Sequence, residues 1–411
     1  MKYALIGEKL SHSFSKIIHE RIGGEYDLVE LKEEQVESFV KNNCYDGFNV
    51  TIPYKKLVMK YLDEISPLAE MVGSVNTVVK RKGKLVGYNT DVRGLEYQIE
   101  SLGVDLEKKN VLVLGSGGAS NTAVALCLLK GAKSVNVVSR AGKLNYQNCY
   151  ELTETEIIIN ATPVGMYPNV EDKPIDLDRF SNLIAVFDLI YNPIRSNLVL
   201  SAINKGLIAS GGLKMLVTQG LKSRELWQGE PIDGKLTNKI LVELTREKNN
   251  LVLSGMAGCG KTTIGKLASE YLNMPFYDVD VVITEKHGKS PAQIITENGE
   301  QVFRDIESQV VKELSKTGGK VISLGGGSVL REENVKALKR NGIIIYLERD
   351  VEKLATENRP LSEKQGVKAL FEKRKQTYMN TKDVLVNNDG DVKTTLKGVI
   401  EGYENSCNKW S

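Results

Sequence analysis

The chain has 411 residues, 41% of them hydrophobic and 26% charged, which is long enough for two to four domains and excludes a disordered chain. Its 55 basic and 52 acidic residues leave a net charge of +3 with no block of like charge, so neither nucleic acid nor a membrane surface is an expected partner. Five scattered cysteines without a CxxC pair and three histidines speak against a disulfide scaffold and a zinc site; with no apolar run near the roughly 18 residues of a membrane span and no secretory signal, a cytoplasmic protein is expected.

Short apolar runs alternate with helical patterns throughout, which predicts an α/β protein with largely parallel sheets. The first strand is "YALIG", and "SHSFS" after it sets Ser13 and Ser15 two apart, either as ligand-facing hydroxyls or as part of a helix cap. "NVTIPYK" offers Asn49, Thr51 and Lys55, "GSVNT" offers Asn76, and "GYNTD" offers Asp91, which could equally cap a helix. As a set they could line one polar cleft, where a lysine passes a proton to a ketone and an aspartate holds that lysine by a hydrogen bond.

"VLVLGSGGAS" is a strand running into a glycine-rich turn, Gly115 to Ser120, and "AVALCLLKGA" beyond it has helical spacing with a C-cap at Gly131. Ser120 stands where a full GxGxxG has its third glycine, so the turn reads as a dinucleotide-phosphate loop or as an ordinary strand-to-helix connection. The next strand ends in "VVSRAGK": no carboxylate is there for a ribose 2′-hydroxyl, whereas Ser139, Arg140 and Lys143 suit a 2′-phosphate, so NADP is preferred over NAD. Only the sixteen residues 141–156 then precede the strand "IIIN", and "GKLNYQNCYELTE" is a poor helix. A crossover trimmed of its helix is expected, with the adenosine end of the cofactor more exposed. After "AVFDLI" and the helical "GLKMLVTQGLKSRELWQG", a polar stretch with a last helix puts a domain boundary near 247 to 250.

The alternation restarts at Leu251. "GMAGCGKT", Gly255 to Thr262, fits GxxxxGK[ST] between a strand and the helical "TIGKLASEYL", the context a phosphate loop requires. Its glycines let backbone N–H groups close around phosphate oxygens, Lys261 supplies a point charge for the β and γ phosphates, and the Thr262 hydroxyl can ligate Mg2+. "FYDVD" places Asp278 and Asp280 at period two, so that both carboxylates leave one face of a strand end. One could assist a metal and the other receive or orient a hydroxyl proton, or the pair could be a solvated turn. Farther on come Arg304 and Glu307 one helical turn apart in "GEQVFRDIE", Gly325 to Gly327 in "VISLGGGSV", Arg359 in "NRPLS" and Arg374 in "EKRKQTY".

In this order the P-loop, DxD, GExxFRxxE, GGG and RPL make residues 250–411 resemble shikimate kinase. The resemblance implies a P-loop, nucleoside-monophosphate-kinase-like parallel α/β domain over 248–411. ATP would lie on Gly255, Gly258, Cys259, Gly260, Lys261, Thr262 and Thr263, with Thr262 and Asp278 on Mg2+ and Lys261 and Asp280 as catalytic groups. Asp280 would face the shikimate hydroxyls, Arg304 and Arg374 would grip its carboxylate, and Gly326 and Gly327 would allow close approach. Arg359 would sit on a lid over ATP; "RPLS" lacks the family's second leucine there, so closure is expected to differ in detail.

The order SHSxS, NVTxPxK, VNT, NTD, GxGGA, INATPVGM, DLIYNP and GLKMLVTQ makes residues 1 to about 247 resemble shikimate dehydrogenase, with Lys16 in place of the usual proline after SxS. The resemblance implies a substrate-binding domain over 1–100, rejoined by a helix near 213–247, and a Rossmann-like NADP domain over 101–212. Lys55 and Asp91 would form the catalytic pair. Ser13 and Ser15 would hold a carboxylate, Thr51, Asn76, Asn89 and Gln219 ring hydroxyls, while Tyr191 and Gly212 would border the meeting place of nicotinamide and substrate. Gly115, Gly117, Gly118 and Ala119 would carry the pyrophosphate, Ser139 and Arg140 the adenosine phosphate, and Asn160, Thr162 and Met166 the wall of the cofactor cleft.

Together the resemblances imply a bifunctional enzyme of the shikimate pathway that reduces 3-dehydroshikimate with NADPH and then phosphorylates shikimate with MgATP. The alternatives are a quinate/shikimate dehydrogenase in the first half, or one half that only binds its ligand and regulates the other. Lys55, Asp91, Lys261 and Asp280 argue against a silent half, because a sensor needs no proton- or phosphoryl-transfer groups. Oligomeric state is not legible.

Overall fold

The computed structural model describes residues 1–10, 13–354 and 366–410. They form two compact units, Met1–Leu241 and Val242–Ser411. The division falls inside the helix Gly234–Lys248 rather than after it.

The first unit contains two sheets. One is built from β1 (Lys2–Gly7), β2 (Glu25–Glu30), β3 (Gly47–Val50), β4 (Glu64–Ile65), β5 (Thr77–Arg81) and β6 (Lys84–Tyr88), in the order β2-β1-β3-β5-β6-β4. It is mixed rather than parallel, since β5 runs antiparallel to both β3 and β6. The β5–β6 reversal is local: Lys82 and Gly83 both take positive φ, 50° and 81°, the backbone a two-residue hairpin turn requires.

The second sheet is wholly parallel: β7 (Asn110–Leu114), β8 (Ser134–Val138), β9 (Ile157–Asn160), β10 (Ala185–Asp188) and β11 (Ile208–Ser210), in the order β11-β10-β9-β7-β8. Its central strands are continuous apolar runs buried on both faces, as a covered parallel sheet demands. The chain winds one way from β7 to β8 and the other way through β9, β10 and β11, so the switch point lies at the carboxyl ends of β7 and β9, where open α/β sheets bind ligands. The crossover from β8 to β9 holds only a single 3-10 turn, Cys149–Glu151, in keeping with its poor helical pattern. Cys149, Ile175, Leu177 and Phe180 fill that face of the sheet instead.

The helices Asp91–Glu100 and Leu213–Gln228 cross tightly beside these sheets. A Cβ on Gly94 would lie 2.5 Å from the Met215 carbonyl, so only glycine permits the approach.

The second unit is one parallel sheet of β12 (Asn250–Ser254), β13 (Phe276–Asp278), β14 (Val321–Ser323), β15 (Gly342–Glu348) and β16 (Val384–Asn387), ordered β13-β14-β12-β15-β16. Its core is the apolar run Ile343–Leu347 of β15 with Leu251–Leu253 of β12. Among the described residues no helix is long and apolar enough to cross a membrane, and the five cysteines are free.

Candidate active sites

A cavity of about 200 Å3 in the first unit is lined by Ser13, Ser15, Thr51, Lys55, Asn76, Asp91, Tyr191, Gly212 and Gln219. Thr51 follows directly on β3, and Asp91 opens the helix Asp91–Glu100, where the helix dipole favours a negative charge. The Lys55 ammonium donates to Asp91 Oδ2 at 2.7 Å. Asn76 donates from Nδ2 to Asp91 Oδ1 at 3.0 Å, while its Oδ1 accepts from the Thr90 N–H at 2.8 Å, which fixes the amide's orientation. Both carboxylate oxygens are therefore held, and the lysine borders a cavity of mixed lining, with Leu5, Val50, Leu189, Met215 and Leu216 beside the polar groups.

Behind this pair stands a buried wall of neutral polar groups. Asn49 donates to Thr77 Oγ1 at 3.0 Å and to Ser223 Oγ at 2.9 Å, and accepts from the Tyr26 hydroxyl at 2.8 Å. Its amide is committed to the wall although Asn49 borders the cavity. Asn89 does not reach the cavity, contrary to the sequence expectation. Its Nδ2 donates to the Ser74 carbonyl and hydroxyl at 3.0 and 3.1 Å, holding the turn before β5, and the residue borders a separate cavity.

At the carboxyl edge of the second sheet, Gly115 has φ 106°, and a Cβ there would meet Thr162 Cγ2 at 3.0 Å. Gly117 and Gly118 face open space at the start of the helix Gly118–Leu129, whose first N–H groups are free for an anion. Ala119 joins this loop to the cavity of Lys55. Ser139 and the exposed Arg140 follow β8, and among the described residues Arg140 has no carboxylate partner. Met166 is 42% exposed. Asn160 corrects the expectation of a cleft-lining side chain: it is fully buried, its Oδ1 accepting from Thr162 N and Oγ1 and its Nδ2 donating to Asp188 Oδ1. It shapes the cleft through Thr162.

The sequence reading missed Asp188. It is fully buried at the end of β10, and burial pushes its carboxyl up to about 7 against the hydrogen bonds from Ser196, Ile190 and Asn160. The signal was one acid inside the otherwise uncharged run "AVFDLIYNP".

In the second unit, Gly255, Gly258 and Gly260 take φ of 140°, 86° and 96° around the phosphate loop, conformations closed to most side chains. Lys261 is buried, and its ammonium donates to the carbonyls of Gly255 and Met256, both at 2.9 Å. Among the described residues no carboxylate lies within ion-pair distance of it, so this buried cation suits an anion. Asn388 steadies the loop by donating to the Cys259 carbonyl at 2.6 Å, a contact from β16's end that sequence spacing does not reveal. Thr263 is exposed on the first turn of the helix Lys261–Leu272.

Asp278 and Asp280 do not share a strand face. Asp278 ends β13 and caps the helix Val279–His287, accepting from Asp280 N at 3.1 Å, so Asp280 belongs to the first helical turn. A capping aspartate stops the period-two alternation at once. The two carboxylates then take separate partners: Thr262 Oγ1 donates to Asp278 Oδ2 at 2.8 Å, whereas Asp280 faces inward. Burial first, then Asp278 and Glu307, raise the Asp280 carboxyl to about 6, with Lys261 and Arg304 opposing.

Arg304 donates to Glu307 Oε2 at 2.7 Å and to Glu300 Oε1 at 3.1 Å, and Ser328 donates to the other oxygen of Glu307 at 2.6 Å. Arg374 reaches the Gly326 carbonyl at 3.1 Å, which also accepts from the Tyr378 hydroxyl. A Cβ on Gly327 would lie 2.4 Å from Arg304 Nη2, and one on Gly326 3.4 Å from Arg374 Nη1. The triple-glycine turn and both arginines thus converge. Arg359 lies outside the described residues.

Two family models match: shikimate kinase over residues 257–403, and the shikimate dehydrogenase substrate binding domain over 5–78. The shikimate dehydrogenase (NADP(+)) of Clostridium beijerinckii is 38% identical over 255 residues, 57% of this chain and 94% of that protein. The structure of shikimate dehydrogenase 1 from Peptoclostridium difficile has a TM-score of 0.55 at 38% identity, covering 59% of this chain and 98% of the other. Shikimate 5-dehydrogenase from Thermus thermophilus, solved in complex with NADP(H) and shikimate, has a TM-score of 0.53 at 28% identity, covering 58% and 98%.

Proposed function

We propose residue roles for two activities from one premise: the chain belongs to the shikimate dehydrogenase family over its first unit and carries a shikimate kinase domain in its second. The first unit reduces 3-dehydroshikimate to shikimate with NADPH, and the second phosphorylates shikimate with MgATP. The observation that carries the first assignment is the Lys55–Asp91 hydrogen bond at the wall of a cavity where hydroxyls and amides stand among apolar side chains such as Leu5, Leu189 and Met215. Lys55 gives its proton to the carbonyl oxygen as that oxygen becomes an alcohol, and Asp91 holds the ammonium in place. Ser13 and Ser15 bind the carboxylate of the substrate, Thr51, Asn76 and Gln219 its hydroxyls, and Tyr191 and Gly212 the nicotinamide side. Bound NADPH supplies the hydride. Its pyrophosphate fits the open faces of Gly117 and Gly118, and its 2′-phosphate fits Ser139 and Arg140.

In the second unit Lys261 and the loop N–H groups hold the ATP phosphates. Thr262 and Asp278, already joined by a hydrogen bond, would hold Mg2+, which supplies charge neutralisation at the phosphates when bound. Asp280 receives or orients the proton of the accepting hydroxyl, while Arg304 and Arg374 bind the shikimate carboxylate.

NADPH oxidation with 3-dehydroshikimate and ADP release with shikimate, both measured on the full chain, test the reading. Wild type should perform both, and Lys261→Ala should lose ADP release roughly 100-fold or more with NADPH oxidation intact. A wild type that phosphorylates shikimate yet oxidises no NADPH would make the first unit a ligand-binding regulator. Gly327→Ala should displace the Arg304 guanidinium rather than the backbone, because the clashing atoms end a side chain. It should raise KM for shikimate in the kinase reaction on the order of tenfold, with KM for ATP unchanged. Equal shifts in both constants would contradict the assignment of Arg304.

A further inference from the structure

We propose that Asp188 is a positioning residue for NADPH binding, its buried carboxylate clamping together the two loops that flank the cofactor cleft. The proposal rests on the reading that residues 115–119 hold the cofactor's pyrophosphate. Asp188 is fully buried, and three donors converge on it from three segments: Asn160 Nδ2 at 3.0 Å from the end of β9, the Ile190 N–H at 3.0 Å from the chain just beyond β10, and the Ser196 hydroxyl at 2.5 Å. Ser196 caps the helix Asn197–Asn204 and accepts from Val199 N at 3.3 Å, so its own hydrogen is directed to Asp188. None of the three groups is charged; the carboxylate is an acceptor hub in an uncharged pocket.

The two sides of the clamp lead to different parts of the cleft. On one side Asn160 accepts from Thr162 N at 3.0 Å and Thr162 Oγ1 at 2.7 Å, and Thr162 is the side chain against which Gly115 of the phosphate loop is fitted. On the other side Ile190 precedes Tyr191, which lines the Lys55 cavity. A second tie secures the hub from below: Gln98 Nε2, from the helix that Asp91 opens, donates to the Asp188 carbonyl at 3.1 Å and to the Gly211 carbonyl at 3.2 Å. The carboxylate touches neither substrate nor cofactor, so its effect must pass through where the loops stand. Asn160 and Ile190 share Oδ1 while Ser196 holds Oδ2, so alanine at 188 deprives both loops of their common acceptor, and loss of the Ser196 hydroxyl frees the oxygen that fixes the carboxylate's orientation.

The test compares wild type, Asp188→Ala and Ser196→Ala as full chains, by NADPH fluorescence titration and by steady-state kinetics with 3-dehydroshikimate. Asp188→Ala should raise Kd for NADPH on the order of tenfold, and Ser196→Ala, which removes one donor of three, about threefold. In both, kcat at saturating NADPH and KM for 3-dehydroshikimate should stay within about twofold of wild type, a split that general loss of structure would not produce. Unchanged Kd in Ser196→Ala overturns the proposal even if Asp188→Ala fails to fold, and so does a fall in kcat with Kd intact. A wild type that binds no NADPH would instead overturn the assignment of the phosphate loop.

Discussion

Lys55→Ala should lower kcat for NADPH oxidation by roughly 100- to 10,000-fold, the range a positioned proton donor contributes, while ADP release from shikimate proceeds at the wild-type rate. The alanine removes the donor and also leaves Asp91 partly buried, with Asn76 as its remaining side-chain partner. Some loss of stability is therefore expected, and a melting curve must accompany the kinetics. Lys55→Arg separates the two explanations. A guanidinium restores the positive charge beside Asp91 but does not release a proton near neutral pH. If Lys55 acts as the acid, the arginine variant should recover most of the stability and little of the rate. Recovery of both would mean that the site needs only a cation, and the proton would have to come from elsewhere.

Asp280→Asn should lower phosphoryl transfer by a comparable factor and make the protein more heat-stable at pH 7. The two effects have one cause. Asp280 is pushed up to about 6 chiefly by burial, so the fold prefers its protonated form. The stability linked to that proton is fully present below the ordinary value of 3.8 and is lost as pH rises through about 6. At pH 7 the wild type carries an ionised group the fold disfavours, and asparagine removes it. The difference in melting temperature should shrink toward pH 4. Wild-type kinase turnover should fall on the acid side as the base takes up its proton, and Mg2+ on Asp278 should move that limb to lower pH than in the metal-free protein. Activity within tenfold of wild type in the asparagine variant would remove Asp280 from the reaction, and an unchanged melting temperature at pH 7 would remove the burial argument.

Local chemistry in the sequence was enough for the phosphate loop of the second unit, because that loop depends on backbone conformations that a few closely spaced glycines permit. The trimmed crossover was also legible, since "GKLNYQNCYELTE" lacks a helix's apolar spacing. Lys55 and Asp91 could be named as a pair, though their 2.7 Å contact spans 36 positions and needed the fold to form. Asp278 and Asp280 mark where a local rule failed: period two holds only while the strand continues, and a cap ended it.

The order of motifs along the chain determined the α/β class, the two glycine-rich strand-to-helix loops and most of the groups offered for chemistry, because those are properties of short segments and of residue type. Tertiary structure alone decided which polar groups remain free to meet a ligand. Asn89 and Asn160 read like ligand-facing amides in sequence, yet Ser74, Thr162 and Asp188 take their hydrogen bonds. Asp188 reads like a strand residue, yet it gathers donors from three segments. A buried amide or carboxylate must find partners wherever the folded chain brings them. Those partners lie at distances along the chain that no local pattern encodes.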